Sequence, residues 1–307
     1  MDARTVDARM LSRIGDAPGF IAALDQSGGS TPRALEAYGI RRDAYPDEAT
    51  MFALIHEMRV RIMTSPSFGA GKIIGAILFD RTMNSAVNGQ PVPALLRELD
   101  IVPFLKIDKG LEDQADGTQL MRPIPDLDSV LSKARLAGMA GTKTRSLIHA
   151  PSPAGIKAVV AQQFELAGRI LDHGLLPIIE PEVHLESERR ERCDAMLTQE
   201  LATQLDMLSE KSQVILKLSL PVRPNLYEDL IDHPRTVRVA ALSGGHSREQ
   251  ACAELAKNRD MIASFSRALL QDLRHTMSSA EFDRTLGAAI EQIYRASSEK
   301  VASANIV

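Results

Sequence analysis

Eight short apolar segments recur along this chain of 307 residues, and most of them end in a residue able to act in acid, base or phosphate chemistry. They are rich in Val, Ile, Leu or Phe without strict alternation, which is typical of strands covered on both faces of a parallel sheet. A charged residue in such a strand is costly to bury, so its repetition indicates charges that converge on one site. The segments lie near residues 19–25, 73–80, 101–108, 141–148, 175–182, 212–220, 236–243 and 261–267.

Stretches with helical spacing separate many of the apolar segments. Ser152 followed by Pro153 predicts the start of a helix over 153–173, because serine caps helix N-termini and proline suits the first turn. Ser278 begins a final helix, with a glutamate at the spacing of a capping box. Residues 47–63 place apolar side chains on one helical stripe, namely Met51, Ile55, Met58 and Ile62.

The alternation of these elements predicts the fold. Eight strands alternating with helices over about 250 residues fit an α/β fold, the (β/α)8 or TIM barrel. An open doubly wound sheet is the alternative, and it would normally bind its ligand through one Gly-rich turn. No G-x-G-x-x-G motif follows the first segment, and polar residues end many segments. We therefore predict a single barrel domain over residues 1–307, with helical segments at both ends.

Composition and charge exclude several classes of function. A net charge of -4 gives no broad basic field, so nucleic acid is not an expected partner. No apolar run approaches the roughly 18 residues of a spanning helix, and the first residues lack the apolar stretch of a signal peptide. Cys193 and Cys252 lie far apart, which fits a reducing compartment. We expect a cytoplasmic protein that binds neither a membrane nor nucleic acid.

Lys217 is the most informative single residue. It lies within VILKLSL, where apolar neighbours would take its amine out of water. Desolvation disfavours the charged form of an amine, and the nearby cations Lys143 and Arg145 would add to this effect. A neutral amine can attack a carbonyl carbon and form a Schiff base. The alternative is a lysine that reaches the strand end or pairs with a carboxylate.

Acidic residues are predicted at the same end of the barrel. Glu180 and Glu182 lie two residues apart in IIEPE, so in a strand they point to one face. Two close carboxylates make one of them harder to ionise, which suits a general acid or base. The alternative is that both form ion pairs with barrel lysines. Asp25 ends the first segment and could accept a proton or balance a lysine.

Basic residues and glycine loops indicate an anionic substrate. Three lysines and one arginine at one end of the barrel would attract a phosphorylated ligand. Glycines after a strand let backbone N–H groups approach phosphate, and barrels often bind phosphate after their last two strands. The loop from Ser27 to Ser30 is either a second anion site or a simple helix cap. No histidine pattern predicts a metal site. The three lysines and the arginine are Lys106, Lys143, Lys217 and Arg145. The glycine loop after the seventh segment consists of Ser243, Gly244 and Gly245, and Arg267 ends the eighth segment.

The ordered set of motifs resembles class I fructose-bisphosphate aldolase in its shorter bacterial form. The resemblance covers about residues 15–270, and its motifs are AALDQSGGSTPR, GAILFD, LKIDKG, GTKTR, IEPE, VILK, LSGG and FSRAL, in the order of that family. It implies a (β/α)8 barrel that needs no metal or cofactor. It also implies the reversible cleavage of fructose 1,6-bisphosphate to dihydroxyacetone phosphate and glyceraldehyde 3-phosphate, in glycolysis and gluconeogenesis. We expect a homo-oligomer.

The resemblance assigns a role to each site residue. It implies that Lys217 forms the Schiff base, and that Glu180 gives and takes the protons of imine formation. Asp25 would position or deprotonate the C4 hydroxyl. Lys143 would keep the site positive, with Glu182 as its carboxylate neighbour. The residues implied for phosphate are Lys106, Arg145, Ser27 and Ser30 on the C6 side and Ser243, Gly244, Gly245 and Arg267 at C1.

Two departures from the family pattern and two rival functions remain. Thr144 stands where the family often has Trp. Some animal relatives use a C-terminal tyrosine to protonate the enamine, whereas the tyrosine nearest the end of this chain, Tyr294, lies within the last predicted helix, so the resemblance assigns no residue to that proton. One rival is another Schiff-base barrel enzyme, such as a transaldolase or deoxyribose-phosphate aldolase, which needs only one phosphate site. The other is a non-catalytic barrel that serves as a scaffold. The two predicted anion sites disfavour the first rival, and the intact Lys217, Glu180 and Asp25 disfavour the second.

Overall fold

All eight apolar segments form strands, and nearly every residue in these strands is buried. The computed structural model describes residues 6–187 and 189–301. Short additional strands form a hairpin and an edge beside the main sheet. The strands are β1 (Phe20–Leu24), β2 (Ile73–Leu78), β3 (Ala86–Val87), β4 (Gln90–Pro91), β5 (Val102–Lys106), β6 (Thr118–Gln119), β7 (Gly141–Ile148), β8 (Leu176–Val183), β9 (Val214–Ser219), β10 (Thr236–Leu242) and β11 (Ile262–Phe265).

Eight parallel strands close into a barrel. Their order is β5-β2-β1-β11-β10-β9-β8-β7, and parallel pairing between β5 and β7 closes the ring. The short strand β6 pairs antiparallel with the end of β7. The predicted (β/α)8 fold is therefore confirmed. Because all eight strands run in one direction, their C-terminal ends meet at one end of the barrel, which we call the mouth.

Helices cover the outside of the barrel, and their ends follow the predicted caps. The Ser152 hydroxyl accepts a hydrogen bond from the Gly155 backbone, and Ser278 caps the last helix in the same way. No helix in the described ranges is both long and apolar enough to cross a membrane. The helices are α1 (Ala8–Asp16), α2 (Ser30–Ala37), α3 (Glu48–Met63), α4 (Asp80–Met83), α5 (Val92–Glu98), α6 (Leu127–Leu136), α7 (Pro153–Asp172), α8 (Arg190–Met207), α9 (Glu228–Ile231), α10 (Arg248–Ala256), α11 (Arg267–Leu270) and α12 (Ser279–Ser298).

The core has two apolar layers, one inside the barrel and one around it. Apolar residues such as Ile21, Phe104 and Ile215 fill the inside of the barrel. A larger layer lies between the strands and the helices. Helix α1 covers the N-terminal end, where the Arg238 guanidinium donates to the backbone oxygens of Ile14 and Ala17, both at 3.1 Å.

Two predicted strand ends do not lie where the sequence indicated. The eighth barrel strand ends at Phe265, and Arg267 begins the short helix α11 instead of ending the strand. The segment at 73–80 ends as a strand at Leu78, and Asp80 begins the short helix α4. Asp80 is exposed, and its carboxylate accepts a hydrogen bond from the Asn84 amide at 3.1 Å. The Asp80 carboxylate therefore bonds within its own helical turn and is not among the ion pairs at the mouth.

Candidate active site

Lys217 lies inside the barrel mouth and is only 4% exposed. It is two residues beyond Ile215, which belongs to the core inside the barrel, so the pleat of β9 directs it inward. Its neighbours Leu216 and Leu218 face the helices. The Lys217 Nζ lies 2.9 Å from Glu180 Oε1 on the adjacent strand β8.

Glu180 contacts two lysines at once. Its Oε1 contacts Lys217, and its Oε2 lies 2.8 Å from the Lys143 Nζ on β7. The contact with Lys143 is short but poorly aligned, so Glu180 Oε2 has a charge contact without a well-formed hydrogen bond. Lys143 also lies 2.8 Å from Asp25 Oδ2 and 3.8 Å from Asp108 Oδ2. A continuous chain of charges thus links Lys217 to Asp25 through Glu180 and Lys143.

The charges of this chain reinforce each other. Burial alone would raise the pKa of Asp25, but Lys143 and Lys217 outweigh it and hold that pKa well below its usual range. The same two lysines lower the pKa of Glu180 against the effect of burial. Burial would lower the pKa of Lys143, yet Asp25 and Glu180 raise it above its usual value. Asp25 and Glu180 are therefore ionised and Lys143 is charged near neutral pH.

Glu182 does not have the neighbour that the family resemblance implied. Its Oε2 lies 2.6 Å from the Arg145 Nε, while Lys143 contacts Glu180 instead. The strand register sets Lys143 level with Ile178 and Arg145 level with Glu180. Each cation instead reaches the carboxylate one level nearer the rim, about 6.6 Å further along the strand axis. Nor does Glu182 make Glu180 harder to ionise, because two lysines lie closer to Glu180 and lower its pKa. Arg145 and Glu182 form a second, more exposed pair nearer the rim.

A third pair joins the inner cluster from β5. The Lys106 Nζ lies 2.6 Å from Asp108 Oδ1, and burial together with the Lys143 charge lowers the pKa of Lys106. Asp108 is buried, and it was not among the predicted site residues although it ends its segment. Among residues 6–187 and 189–301, no group of three His, Cys, Asp or Glu side chains is placed to hold a metal ion.

Gln163 on α7 supports Glu180 from outside the barrel, and sequence reasoning missed it. Its Oε1 accepts hydrogen bonds from the Glu180 backbone N–H at 3.0 Å and from the Thr144 hydroxyl at 2.8 Å. Gln163 is 1% exposed and lies on a helix face with Val160 and Phe164. A polar residue on the apolar stripe of a helix was the available signal. Thr144, at which the sequence departs from the family resemblance, is thus a partner in this network.

The predicted anion loops follow strands β1 and β10 at the mouth, and all but the buried Ser243 are at least partly exposed. Ser27 to Ser30 are exposed or partly exposed, and the Ser30 hydroxyl accepts from the Ser27 N–H at 3.0 Å and donates to the Ser27 carbonyl at 2.9 Å. After β10, Gly244 and Gly245 have φ of 61° and 118°, values that favour glycine. A side-chain carbon at position 245 would lie 3.7 Å from the Arg267 Nη2. The structure therefore brings Arg267 beside the Ser243–Gly245 loop.

Tyr294 lies far from this site. Its ring on α12 is 5.7 Å from the Nζ of Lys72, the residue that precedes β2. That position is at the N-terminal end of the barrel, opposite the mouth. Tyr294 therefore cannot take part in chemistry at Lys217.

The fold and the site define a (β/α)8 barrel whose mouth holds a buried lysine in contact with a carboxylate. The sequence model of the family "Fructose-bisphosphate aldolase class-I" matches residues 21–238, which is more than half of the chain. The chain belongs to the class I fructose-bisphosphate aldolase family.

Solved structures agree with this assignment at the level of the fold. The chain is similar to fructose-bisphosphate aldolase from Plasmodium falciparum, with 20% identity, a TM-score of 0.73, and coverage of 98% of this chain and 99% of that one. Fructose-bisphosphate aldolase from Slackia heliotrinireducens shows 12% identity and a TM-score of 0.54, covering 93% of this chain and 84% of that one. A Schiff-base-forming fructose 1,6-bisphosphate aldolase gives 12% identity and a TM-score of 0.55, covering 93% and 98% of the two chains.

Proposed function

We propose that this protein is a metal-independent fructose 1,6-bisphosphate aldolase that works through a Schiff base on Lys217. The observation that carries the proposal is the position of Glu180 between two amines, 2.9 Å from Lys217 and 2.8 Å from Lys143. This arrangement suits a reaction in which one amine must lose protons and regain its charge beside a base. We place the activity in glycolysis and gluconeogenesis in the cytoplasm, and we expect a homo-oligomer.

Imine formation uses Lys217 and Glu180. The Lys217 ammonium gives a proton to Glu180, and the free amine attacks the C2 ketone carbon of the sugar. A proton moves from nitrogen to oxygen, which gives a carbinolamine. Glu180 then returns its proton to the carbinolamine hydroxyl, which leaves as water, so a protonated imine remains. The lysine charge is thereby preserved.

Cleavage uses the imine as an electron sink. The C4 hydroxyl donates a hydrogen bond to Asp25 and loses its proton as the C3–C4 bond breaks. The bond electrons move onto the imine nitrogen and leave a neutral enamine, and glyceraldehyde 3-phosphate departs. Protonation at C3 and hydrolysis of the imine then release dihydroxyacetone phosphate and Lys217. Lys143 stays charged throughout because Asp25 and Glu180 raise its pKa.

The two phosphates hold the reacting bond in line. We assign the C1 phosphate to Ser243, Gly244, Gly245 and Arg267, and the C6 phosphate to Ser27, Ser30, Lys106 and Arg145. Binding energy from these remote groups can align C2 with Lys217 and C4 with Asp25. Two separate anion loops favour a substrate with two phosphates over the one-phosphate substrates of a transaldolase or deoxyribose-phosphate aldolase.

Borohydride trapping tests the reaction and the residue together. Reduction in the presence of fructose 1,6-bisphosphate is expected to leave a sugar-phosphate adduct on Lys217 in the peptide mass spectrum. Lys217→Met is expected to remove the adduct, and EDTA is expected to leave cleavage intact. An adduct on another lysine, or loss of turnover with EDTA, would contradict the proposal.

A further inference from the structure

Arg59 on α3 is a buried cation that the proposed reaction does not use. It is 1% exposed, and no carboxylate within residues 6–187 and 189–301 forms an ion pair with it. Burial lowers the pKa of Arg59 to about 10, while the charge of Asp25 acts in the opposite direction. The guanidinium is therefore still charged at neutral pH. A buried charge without an ion pair is costly, so it needs other strong partners.

The partners of Arg59 are mainly groups of the loop after β1. Its Nη2 donates to the Gln26 carbonyl oxygen at close range and lies 3.4 Å from Gln26 Oε1. Its Nη1 donates to the Thr82 hydroxyl at 3.0 Å. The buried charge thus holds both the main chain and the side chain of Gln26 in place.

Gln26 in turn joins two loops of the mouth. Its Nε2 donates to the Ser266 hydroxyl at 2.7 Å. The orientation of the amide follows from its partners, since Oε1 faces the Arg59 donor. Cα pairing between β1 and β11 extends only to Ala22 and Phe265. The hydrogen bond from Gln26 to Ser266 therefore connects the two chain segments beyond the end of the ladder.

The connected segments carry the two anion sites. Gln26 is directly followed by Ser27, the start of the loop that we assign to the C6 phosphate. Ser266 is directly followed by Arg267, which we assign to the C1 phosphate. We propose that Arg59 and Gln26 are positioning residues that fix the separation of these two sites and so select sugars with an anionic group at each end. This proposal rests on the function proposed above.

A fixed separation favours a doubly anionic ligand for a simple reason. When one phosphate is bound, the second reaches its site without a further loss of freedom only if that site is already at the right distance. A ligand with one phosphate gains nothing from the spacing. Loosening the connection should therefore weaken the binding of a bisphosphate more than that of a monophosphate.

Binding of two hexitols tests the proposal apart from the chemistry. Hexitol 1,6-bisphosphate and hexitol 1-phosphate lack a carbonyl group, so their calorimetric dissociation constants do not depend on imine formation at Lys217. Ser266→Ala removes only the acceptor of the Gln26 amide. It is expected to weaken bisphosphate binding about threefold to tenfold, the equivalent of one hydrogen bond, and to change monophosphate binding less than twofold.

Two further variants complete the test. Ser266→Thr keeps the hydroxyl and is expected to restore the preference for the bisphosphate. Thr82→Val removes the other Arg59 contact and is expected to leave the preference unchanged. The proposal is overturned if Ser266→Ala weakens both ligands equally or neither, if Thr82→Val produces the same selective loss, or if the wild type binds both hexitols equally. Failure of borohydride trapping at Lys217 would instead overturn the proposed reaction alone.

Discussion

Gln163→Leu is expected to destabilise the protein and to slow adduct formation at Lys217. The Gln163 oxygen accepts from the Glu180 N–H at 3.0 Å and from the Thr144 hydroxyl at 2.8 Å, and leucine can accept neither. An unpaired buried donor costs about 1–3 kcal/mol. The Thr144 hydroxyl keeps a longer contact, 3.4 Å, with the Ile178 carbonyl, so most of this cost falls on the Glu180 N–H. The buried Gln163 Nε2 has no hydrogen-bond partner in the described ranges, and its removal offsets part of the loss.

Because the relief at Nε2 offsets part of the cost, we expect a net loss near the lower end of that range, about 1 kcal/mol in the free energy of unfolding, which urea unfolding can measure. The effect on the reaction should be larger than this stability loss suggests. Release of the Glu180 backbone would move the carboxylate that lies between Lys217 and Lys143, and a misplacement of about 1 Å can cost about a hundredfold in rate. We expect borohydride trapping to slow by about tenfold to a hundredfold.

Gln162→Leu is the matched control. Gln162 precedes Gln163 on the same helix, and its amide exchanges two hydrogen bonds of 2.9 Å with the Met121 backbone, away from Glu180. This variant is expected to lose stability but to trap substrate at the wild-type rate. If Gln163→Leu also traps at the wild-type rate, Gln163 does not control the position of Glu180 and the reasoning fails.

Three other predictions follow from the charges and the loops. Glu180→Gln is expected to slow borohydride trapping at Lys217 by about 10²–10⁴-fold, whereas Glu182→Gln should change the trapping rate less than tenfold. Equal losses of trapping rate in the two variants would instead support the pairing of Glu182 with Lys143 that the resemblance implied. The pKa of Asp25 in the folded protein lies below its usual value of 3.8, so in acid the unfolded chain binds more protons than the folded one. The stability that the ionised Asp25 contributes is therefore present above pH 3.8 and is lost as the pH falls further. Urea unfolding between pH 3 and 7 should therefore show a steeper loss below about pH 4 in the wild type than in Asp25→Asn, and parallel curves would contradict this. Gly245→Val, at a φ of 118°, is expected to cost about 1–3 kcal/mol in stability and to weaken phosphate binding, and unchanged binding of hexitol 1-phosphate would count against the C1 site.

The fold could be read from the sequence because its signal is local. Strands covered on both faces are continuous apolar runs, and each of the eight runs contains one barrel strand. The inward direction of the site residues was also readable, since the pleat has a period of two. Lys143 with Arg145, and Glu180 with Glu182, point into the barrel as that period predicts.

The pairing of those residues could not be read in the same way. Which carboxylate meets which cation depends on the register between strands, and no residue of either strand encodes that register alone. Arg145 is the Cα partner of Glu180, yet its side chain pairs with Glu182, one level nearer the rim. Gln163 and Arg59 were missed for a related reason. They reach the mouth from helices on the outside of the barrel, and only the tertiary structure brings them there.

The charge balance of the inner cluster explains how it can be buried and still react. The three amines of Lys106, Lys143 and Lys217 are matched by the three carboxylates of Asp25, Asp108 and Glu180, in contacts of 2.6 to 3.8 Å. Such a cluster has no net formal charge, and the exposed Arg267 adds a cation outside it for the C1 phosphate. Conversion of the Lys217 ammonium to a protonated imine would keep one positive charge beside Glu180. The proposed reaction therefore passes through its covalent intermediate without leaving a buried carboxylate unbalanced, which would otherwise cost several kcal/mol.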